Sequence, residues 1–200
     1  MNAKRIIDRS FFTCPAEELA PKLLGKILCR PVENRVIRFR LTEVEAYCAD
    51  DTACHSNKYK TGNGVITQHM VGGTLYVHYK NNEYHGSSFD IVANTAKKAE
   101  SVLIRGGMNI DDVSENYSSQ PRLLGEALYI DYEQLNQADL TSSNDIWLED
   151  DGFQVNGKYL KLKRIGLDSA KDISPEDKNR LLRFRYKNEN RKILFCEPTN

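Results

Sequence analysis

The segment from Ile37 to Tyr47 constrains the fold of this chain more than any other. Its apolar and polar residues alternate along most of its length, and alternation with a period of two is the pattern of a β-strand. In a regular strand one side would carry every second residue: Ile37, Phe39, Leu41, Glu43, Glu45 and Tyr47. The pattern therefore predicts a strand with two carboxylates on a largely apolar face.

Two interpretations of Glu43 and Glu45 follow from this placement. A folded protein tolerates carboxylates on an apolar face only where they are paired, hydrogen-bonded or used in chemistry. The alternative is that the strand emerges into solvent near Glu43, and an isolated Glu-x-Glu does not decide between the two.

The rest of the chain predicts a mixed domain built on antiparallel strands. A helix should run from Thr13, as N-cap, to a stop at Gly25, and another from Pro121 to Tyr129. Residues 26–30 and 36–41 predict a hairpin, and residues 49–73 a long polar loop. Further strands are predicted at residues 74–79, 89–92, 101–105 (bounded by Gly106-Gly107), 146–148, 153–155 and 160–165. We expect residues 1–200 to form a single α+β domain.

Cysteine usage and hydropathy predict a cytoplasmic protein. The five cysteines are odd in number, scattered and without a Cys-x-x-Cys pair, which disfavours a disulfide framework or structural zinc. No apolar run approaches the roughly 20 residues of a membrane span. Metal-ligating residue types cluster at Cys48, Asp50, Asp51, Cys54 and His55. Their spacing matches no established pattern of metal ligands, so we expect no metal or cofactor.

Charge is unevenly distributed along a chain whose net charge is zero. The balances are +4 for residues 1–106, −10 for residues 107–157 and +6 for residues 158–200. A polyanion could bind the outer thirds while the acidic middle faces away. Ordinary surface charge is the other explanation, and the asymmetry alone does not choose between them.

Several short motifs follow one another in a characteristic order. They are Leu23-Leu24-Gly25-Lys26, Glu43-Val44-Glu45-Ala46-Tyr47, His55-Ser56, Gly73-Thr74-Leu75-Tyr76-Val77, Val102-Leu103-Ile104-Arg105, Pro121-Arg122-Leu123-Leu124-Gly125-Glu126-Ala127-Leu128, Ile146-Trp147-Leu148-Glu149, Arg164-Ile165-Gly166 and Leu182-Arg183-Phe184-Arg185-Tyr186. Their order and spacing resemble the alkyladenine (3-methyladenine) DNA glycosylases over roughly residues 10–190.

The resemblance implies a monofunctional enzyme of base-excision repair. Such an enzyme flips a damaged purine out of double-stranded DNA and hydrolyses its bond to deoxyribose, leaving an abasic site. It also implies a curved antiparallel β-sheet core flanked by short helices, a protruding β-hairpin, and activity as a monomer. Two competing hypotheses remain: a catalytically idle nucleic-acid-binding module of the same fold, and a hydrolase of free nucleosides.

The same resemblance implies roles for individual residues. Glu45 matches the general base, Arg105 the arginine that holds this carboxylate and its water, and Ile165 the residue whose backbone carbonyl binds the water. The base-binding candidates are Tyr47, His55, Tyr76, His78 and Asp90. The DNA-binding candidates are Asn81, Asn82 and Tyr84 at the hairpin, with Lys163, Arg164, Arg183 and Arg185 as phosphate contacts.

The sequence departs from the family pattern where substrates are selected. His78 stands where tyrosine is usual, and Asp90 where asparagine is usual. Around residues 81–88 the chain has about two extra residues and lacks the usual Tyr-Gly. An ionised Asp90 could accept a hydrogen bond from the amino group of guanine, which predicts relatively better processing of alkylated guanine.

Overall fold

The computed structural model describes residues 3–54, 70–78, 88–93, 98–112, 114–117, 119–155 and 158–186. Its strands are β1 (Lys4–Arg5), β2 (Ile27–Val32), β3 (Arg35–Tyr47), β4 (Leu75–Val77), β5 (Phe89–Ala93), β6 (Glu100–Asn109), β7 (Asn116–Tyr117), β8 (Trp147–Asp150), β9 (Tyr159–Leu162) and β10 (Arg183–Tyr186). Its α-helices are α1 (Ala16–Leu23), α2 (Pro121–Ala127), α3 (Tyr132–Leu135) and α4 (Pro175–Asn179).

The strands form one antiparallel sheet in which β3 is the central element. The order is β1-β8-β2-β3-β6-β5-β4, with β7 beside β6, and β10 joining β3 to β9. Strand β3 pairs with β2 over its first half and with β10 near its end, while β6 runs along its other edge. This arrangement confirms the predicted fold class, α+β with a curled antiparallel sheet and short helices.

The sheet has one apolar face, which carries the core. Alternate residues of its strands, among them Val44, Ile104 and Phe184, are fully buried in a single hydrophobic cluster. Leu19 and Leu23 of α1 belong to the same cluster, since apolar residues at helical spacing give α1 one buried side. The opposite face of the C-terminal half of β3 is consequently left for polar side chains.

A double irregularity between β3 and β6 decides which face Glu43 and Glu45 occupy. Leu41 pairs with Gly107 and Val44 with Ile104, and in between the register shifts twice, leaving Thr42 and Arg105 without a direct partner. Phe39 and Leu41 before the shifts, and Val44 after them, all lie in the core. The prediction that Glu43, Glu45 and Tyr47 share the face of Ile37, Phe39 and Leu41 is therefore wrong, because the bulges turn these three residues to the opposite side.

Most predicted elements occur, with changes at their ends. The first helix begins after Pro15 and not at Thr13, and its stop at Gly25 is confirmed by a φ of 84°. The helix that begins at Pro121 and the hairpin of β2 and β3 are also confirmed. Strand β6 continues through Gly106-Gly107, and residues 153–155 form no strand.

The protruding hairpin predicted around residues 81–88 lies almost wholly outside the described residues. None of the helices in the described ranges is long and apolar enough to cross a membrane.

Candidate active site

The polar face of the sheet gathers the predicted catalytic and base-binding residues that the structure describes. Cross-strand partners share a face in an antiparallel sheet, so the register places these side chains in one row. From β10 to β4 the row contains Arg185 and Arg183, then Glu43, Glu45 and Tyr47, then Ser101 and Leu103, then Asp90, and then Tyr76. His78 follows β4 directly and contacts Asp90. The long predicted strand thus delivers its carboxylates to a shared site.

Glu45 is fully buried and accepts hydrogen bonds from three elements. Its Oε2 accepts from the Tyr47 hydroxyl and from Nη1 of Arg105, each at 3.1 Å. Its Oε1 accepts from the backbone N–H of Ile165 at 2.8 Å. The orientation of the carboxylate is therefore fixed by neighbours on β3, on β6 and on the segment after β9.

Burial has an electrostatic consequence for Glu45. Loss of water around the carboxylate raises its pKa above the ordinary value, although Arg105 and the Ile165 N–H act in the opposite direction. Burial also raises the pKa of the Tyr47 hydroxyl, and the negative charge of Glu45 adds to that shift. Tyr47 is thereby kept protonated as a donor, while Glu45 can take a proton from water at a pH closer to neutral.

Glu43 is as deeply buried as Glu45 but belongs to a separate set of contacts. Both of its oxygens accept from the Ser119 hydroxyl, at 2.8 and 2.9 Å, and Oε1 accepts from Nη1 of Arg183 at 2.9 Å. Nε of Arg105 lies 3.9 Å from the same oxygen. The two carboxylates therefore share the positive charge of Arg105, and each has donors of its own.

Arg164 lies behind Tyr47 and is not placed to contact a phosphate. Its side chain is fully buried and forms an ion pair with Asp51. It also donates to the carbonyls of Ala46 and Asp177, at 3.0 and 3.1 Å. The guanidinium carbon stands 4.7 Å from the centre of the Tyr47 ring. The predicted phosphate role is corrected on the grounds of burial and pairing, and Arg164 supports the Tyr47 ring instead.

His78, Asp90 and Ser101 form a hydrogen-bonded chain at the other end of the row. Nε2 of His78 lies 2.7 Å from Oδ1 of Asp90, and the Ser101 hydroxyl donates to Oδ2 at 2.6 Å. The rings of Tyr76 and His78 are 5.0 Å apart between centroids. Asp90 is almost completely buried, whereas about a fifth of the His78 side chain is exposed. The imidazole is thus partly exposed and is held by a buried carboxylate.

The other predicted DNA-binding residues differ in how accessible their side chains are. Lys163 is exposed and Arg185 half-buried, so both remain candidates for phosphate contact. The side chain of Arg183 is only 14% exposed and is committed to Glu43 and to the carbonyl of Lys163. These contacts disfavour the phosphate contact predicted for Arg183, which stays a prediction. His55, Asn81, Asn82 and Tyr84 lie outside the described residues.

Three contributors to this face were missed by the sequence reasoning. Ser101 and Leu103 share the site face of β6, and the strand period applied to the motif that ends at Arg105 would have found them. Ser119, which holds Glu43, has a φ of 56° and lies beyond β7, so no local pattern indicated it.

A cleft of about 780 Å³ lies away from these residues. Its walls include Phe11, Pro21 and Leu24 on one side and Phe153 and Tyr159 on another. None of the predicted site residues in the described ranges lines it, so the candidate site is identified by the contacts around Glu45 and not by cavity size.

Comparison with known proteins is consistent with this arrangement. Residues 10–190 match the family model described as Methylpurine-DNA glycosylase (MPG). A relative from Borreliella afzelii is 31% identical over 95% of this chain and all of its own length. Relatives from Psychrobacter cryohalolentis and Natranaerobius thermophilus are 30% and 27% identical, covering 90% and 84% of this chain and 91% and 90% of their own. The assigned name of each is 3-methyladenine DNA glycosylase.

Proposed function

The chain belongs to the methylpurine-DNA glycosylase family, and from that membership we propose that it excises alkylated purines from double-stranded DNA with Glu45 as general base. It is a DNA repair enzyme that hydrolyses N-glycosidic bonds.

The observation that carries the proposal is the environment of Glu45. A fully buried carboxylate with a raised pKa, oriented by Tyr47, Arg105 and the Ile165 amide, is a strong candidate for a general base. A module that only bound nucleic acid would gain nothing from such a group, since carboxylates repel phosphates. The idle binding module is therefore disfavoured.

The proposed reaction is a displacement by water at C1′ of the damaged nucleotide. The C1′–N bond breaks and its electron pair stays on the purine nitrogen, so that a cationic alkylpurine leaves as a neutral molecule. The water oxygen bonds to C1′, and its proton passes to Glu45. The carboxylate also stabilises positive charge that develops on the sugar. Arg105 and the Ile165 backbone hold Glu45 and the water in place.

We assign binding of the flipped base to the aromatic part of the polar face. Tyr47 and His78 are proposed to enclose the base, with Tyr76 and Asp90 supporting His78 and His55 meeting the edge of the base. Aromatic faces accept many purines and attract cationic ones more strongly. Asn81, Asn82 and Tyr84 are proposed to enter the DNA duplex, and Lys163 and Arg185 to contact phosphates.

We further propose that the enzyme acts as a monomer in the cytoplasm, where the bacterial relatives hold their DNA. Hydrolysis of free nucleosides is the second candidate function, favoured only by the zero net charge. DNA affinity that falls steeply as salt rises would exclude it.

The direct test uses duplexes that each carry one defined lesion, such as 3-methyladenine or 7-methylguanine. Incubation should release the damaged base and leave an abasic site, detected by strand cleavage in alkali. Borohydride should trap no covalent adduct, because the nucleophile is water. Glu45→Gln serves as the inactive control. Release of bases from free nucleosides but not from duplexes would contradict the proposal.

A further inference from the structure

Arg183 lies beside Glu45, but its guanidinium contacts other groups of the protein. On β10 its Cα faces that of Glu45, while the guanidinium reaches sideways so that Nη1 donates to Oε1 of Glu43 at 2.9 Å. Nε donates to the backbone carbonyl of Lys163 at 2.8 Å and lies 4.0 Å from Oε1 of Glu45. One side chain thus joins a buried carboxylate to the segment that follows β9.

That segment contacts the general base. Ile165, two residues after Lys163, donates its amide to Glu45 at 2.8 Å. Arg164 between them is anchored by Asp51 and by the carbonyl of Ala46. Residues 163, 164 and 165 are therefore each tied to another element, and Arg183 provides the first of these ties.

Glu43 anchors Arg183 from the opposite side. It is fully buried, so it is shielded from a substrate on the open side of the site, and the Ser119 hydroxyl fixes both of its oxygens. A fixed carboxylate paired with a planar guanidinium gives a rigid, charge-assisted contact. The connection runs from Ser119 through Glu43 and Arg183 to Lys163, and from there along the backbone to the amide that meets Glu45.

We propose that Arg183, held by Glu43, is a positioning residue for base excision. It fixes residues 163–165 so that the Ile165 backbone meets Glu45 and its water at the required distance. This inference rests on the proposed function, and it assigns to Arg183 a role in the chemical step instead of in phosphate binding. Displacement by about 1 Å of groups that orient a reaction can cost ~100-fold in rate.

The first measurement is independent of activity. Amide hydrogen exchange is followed by mass spectrometry in wild type, Arg183→Gln, Arg183→Lys and the control Arg122→Gln. Arg122 is well exposed and pairs only loosely with Glu126, at 3.7 Å, so its variant should exchange like wild type. In Arg183→Gln the amide hydrogens of the peptide that contains residues 163–166 should exchange faster than in wild type. The melting temperature of every protein is recorded as well.

The second measurement separates chemistry from binding. Single-turnover excision at saturating enzyme should fall ~10- to 100-fold in Arg183→Gln, while the dissociation constant for the lesion duplex stays near that of wild type. Loss of a positive charge 4.0 Å from Glu45 should also move the acidic limb of the pH profile upward. Arg183→Lys keeps the positive charge but loses the simultaneous contact with Glu43 and the Lys163 carbonyl. Its acidic pH limb should therefore lie closer to that of wild type than its excision rate does.

The outcomes distinguish the two proposals. Weaker binding with an unchanged saturating rate would make Arg183 a phosphate contact and overturn the inference, as would unchanged exchange in residues 163–166. If wild type itself releases no base, the proposed function fails, and unchanged exchange would still overturn the positioning role. If Arg183→Gln does not fold, Arg183→Lys decides: wild-type exchange together with a wild-type rate would overturn the inference.

Discussion

Glu45 combines two properties that usually oppose one another. Burial makes a carboxylate harder to ionise, and hydrogen-bond donors make it easier. Here burial dominates, so the pKa is raised, while Tyr47, Arg105 and Ile165 keep the group oriented. In the proposed role of general base, Glu45 would be both stronger than an exposed glutamate and fixed in direction.

Glu45→Gln should lower the single-turnover rate of base release by ~100- to 10,000-fold, the usual contribution of a general base. The amide keeps the shape of the side chain but cannot take the proton. Binding to the lesion duplex, measured by titration, should be retained. Glu43→Gln is the matched control and should reduce activity less; equal reductions in the two variants would contradict the assignment.

The raised pKa of Glu45 sets the pH dependence. Glu45 must be ionised to accept a proton, so activity should fall as pH falls through its pKa. The acidic limb of kcat/KM should accordingly lie above 4.5, the ordinary value for glutamate. A profile measured on one lesion between pH 4 and 9 checks this, and a limb at or below the ordinary value would show that the donors outweigh burial.

Asp90 has partners that alter its expected role. Its oxygens are engaged by His78 and Ser101, so its first effect is to orient the imidazole. Asp90→Asn should then reduce excision of 7-methylguanine and 3-methyladenine alike, by about tenfold, the effect of losing one charged hydrogen bond. Ser101→Ala should act in the same direction but more weakly. A selective loss on 7-methylguanine would favour direct contact with the guanine amino group.

At the level of elements, the site depends on the paired irregularity of β3 and β6. Because of the bulges, Leu41 and Val44 both face the core, and Glu43 and Arg105 point toward the site. Gly106 permits this close approach, because a Cβ there would stand 2.7 Å from the Tyr117 carbonyl oxygen and 3.1 Å from Cβ of Glu43. Glycine is needed here for space and not for an unusual φ.

Gly106→Ala should destabilise the fold by ~1–3 kcal/mol, as overpacking does, and should slow excision because Glu43 and Arg105 are displaced. Gly107→Ala is the matched control, because its Cβ would meet a Leu124 methyl at 3.2 Å and the Arg40 carbonyl oxygen at 3.4 Å, both longer than the 2.7 Å contact at Gly106. Thermal unfolding and single-turnover rates measure both effects. Wild-type stability and rate in Gly106→Ala would show that the bulge tolerates a methyl group.

The same strands show what sequence could and could not predict. Alternation identified β3 and its two carboxylates, since the strand period needs no tertiary information, whereas Arg105 was assigned through the family resemblance. It gave the wrong face for Glu43 and Glu45, because a bulge depends on both strands of a pair. Arg164 resembled a surface cation because its partner Asp51 is more than a hundred residues away in sequence. Long-range pairing is invisible to local patterns.

On the scale of the whole molecule, the distribution of charge indicates which surface would bind DNA. Buried residues of the acidic segment 107–157, including Leu124, Leu135 and Leu148, pack into the core on the side of the sheet opposite to Glu45. The exposed Lys163 and half-buried Arg185 lie on or beside the strands next to Glu43. A chain of zero net charge can thus present a basic rim to a phosphate backbone.

Lys163→Gln and Arg185→Gln should each weaken binding to damaged and undamaged duplexes by similar factors, since phosphates carry no lesion information. Each substitution removes one protein cation that would contact a phosphate, so each should also flatten the slope of log affinity against log salt by about one unit.

Asp111 pairs with Arg38, and Asp131 caps α3, so changing either would disturb structure as well as charge. The exposed Glu133 of α3 is a cleaner control, and Glu133→Lys should leave affinity and slope nearly unchanged. If Glu133→Lys alters affinity more than the two rim variants, DNA approaches from the acidic side and the rim next to Glu43 is not the phosphate contact.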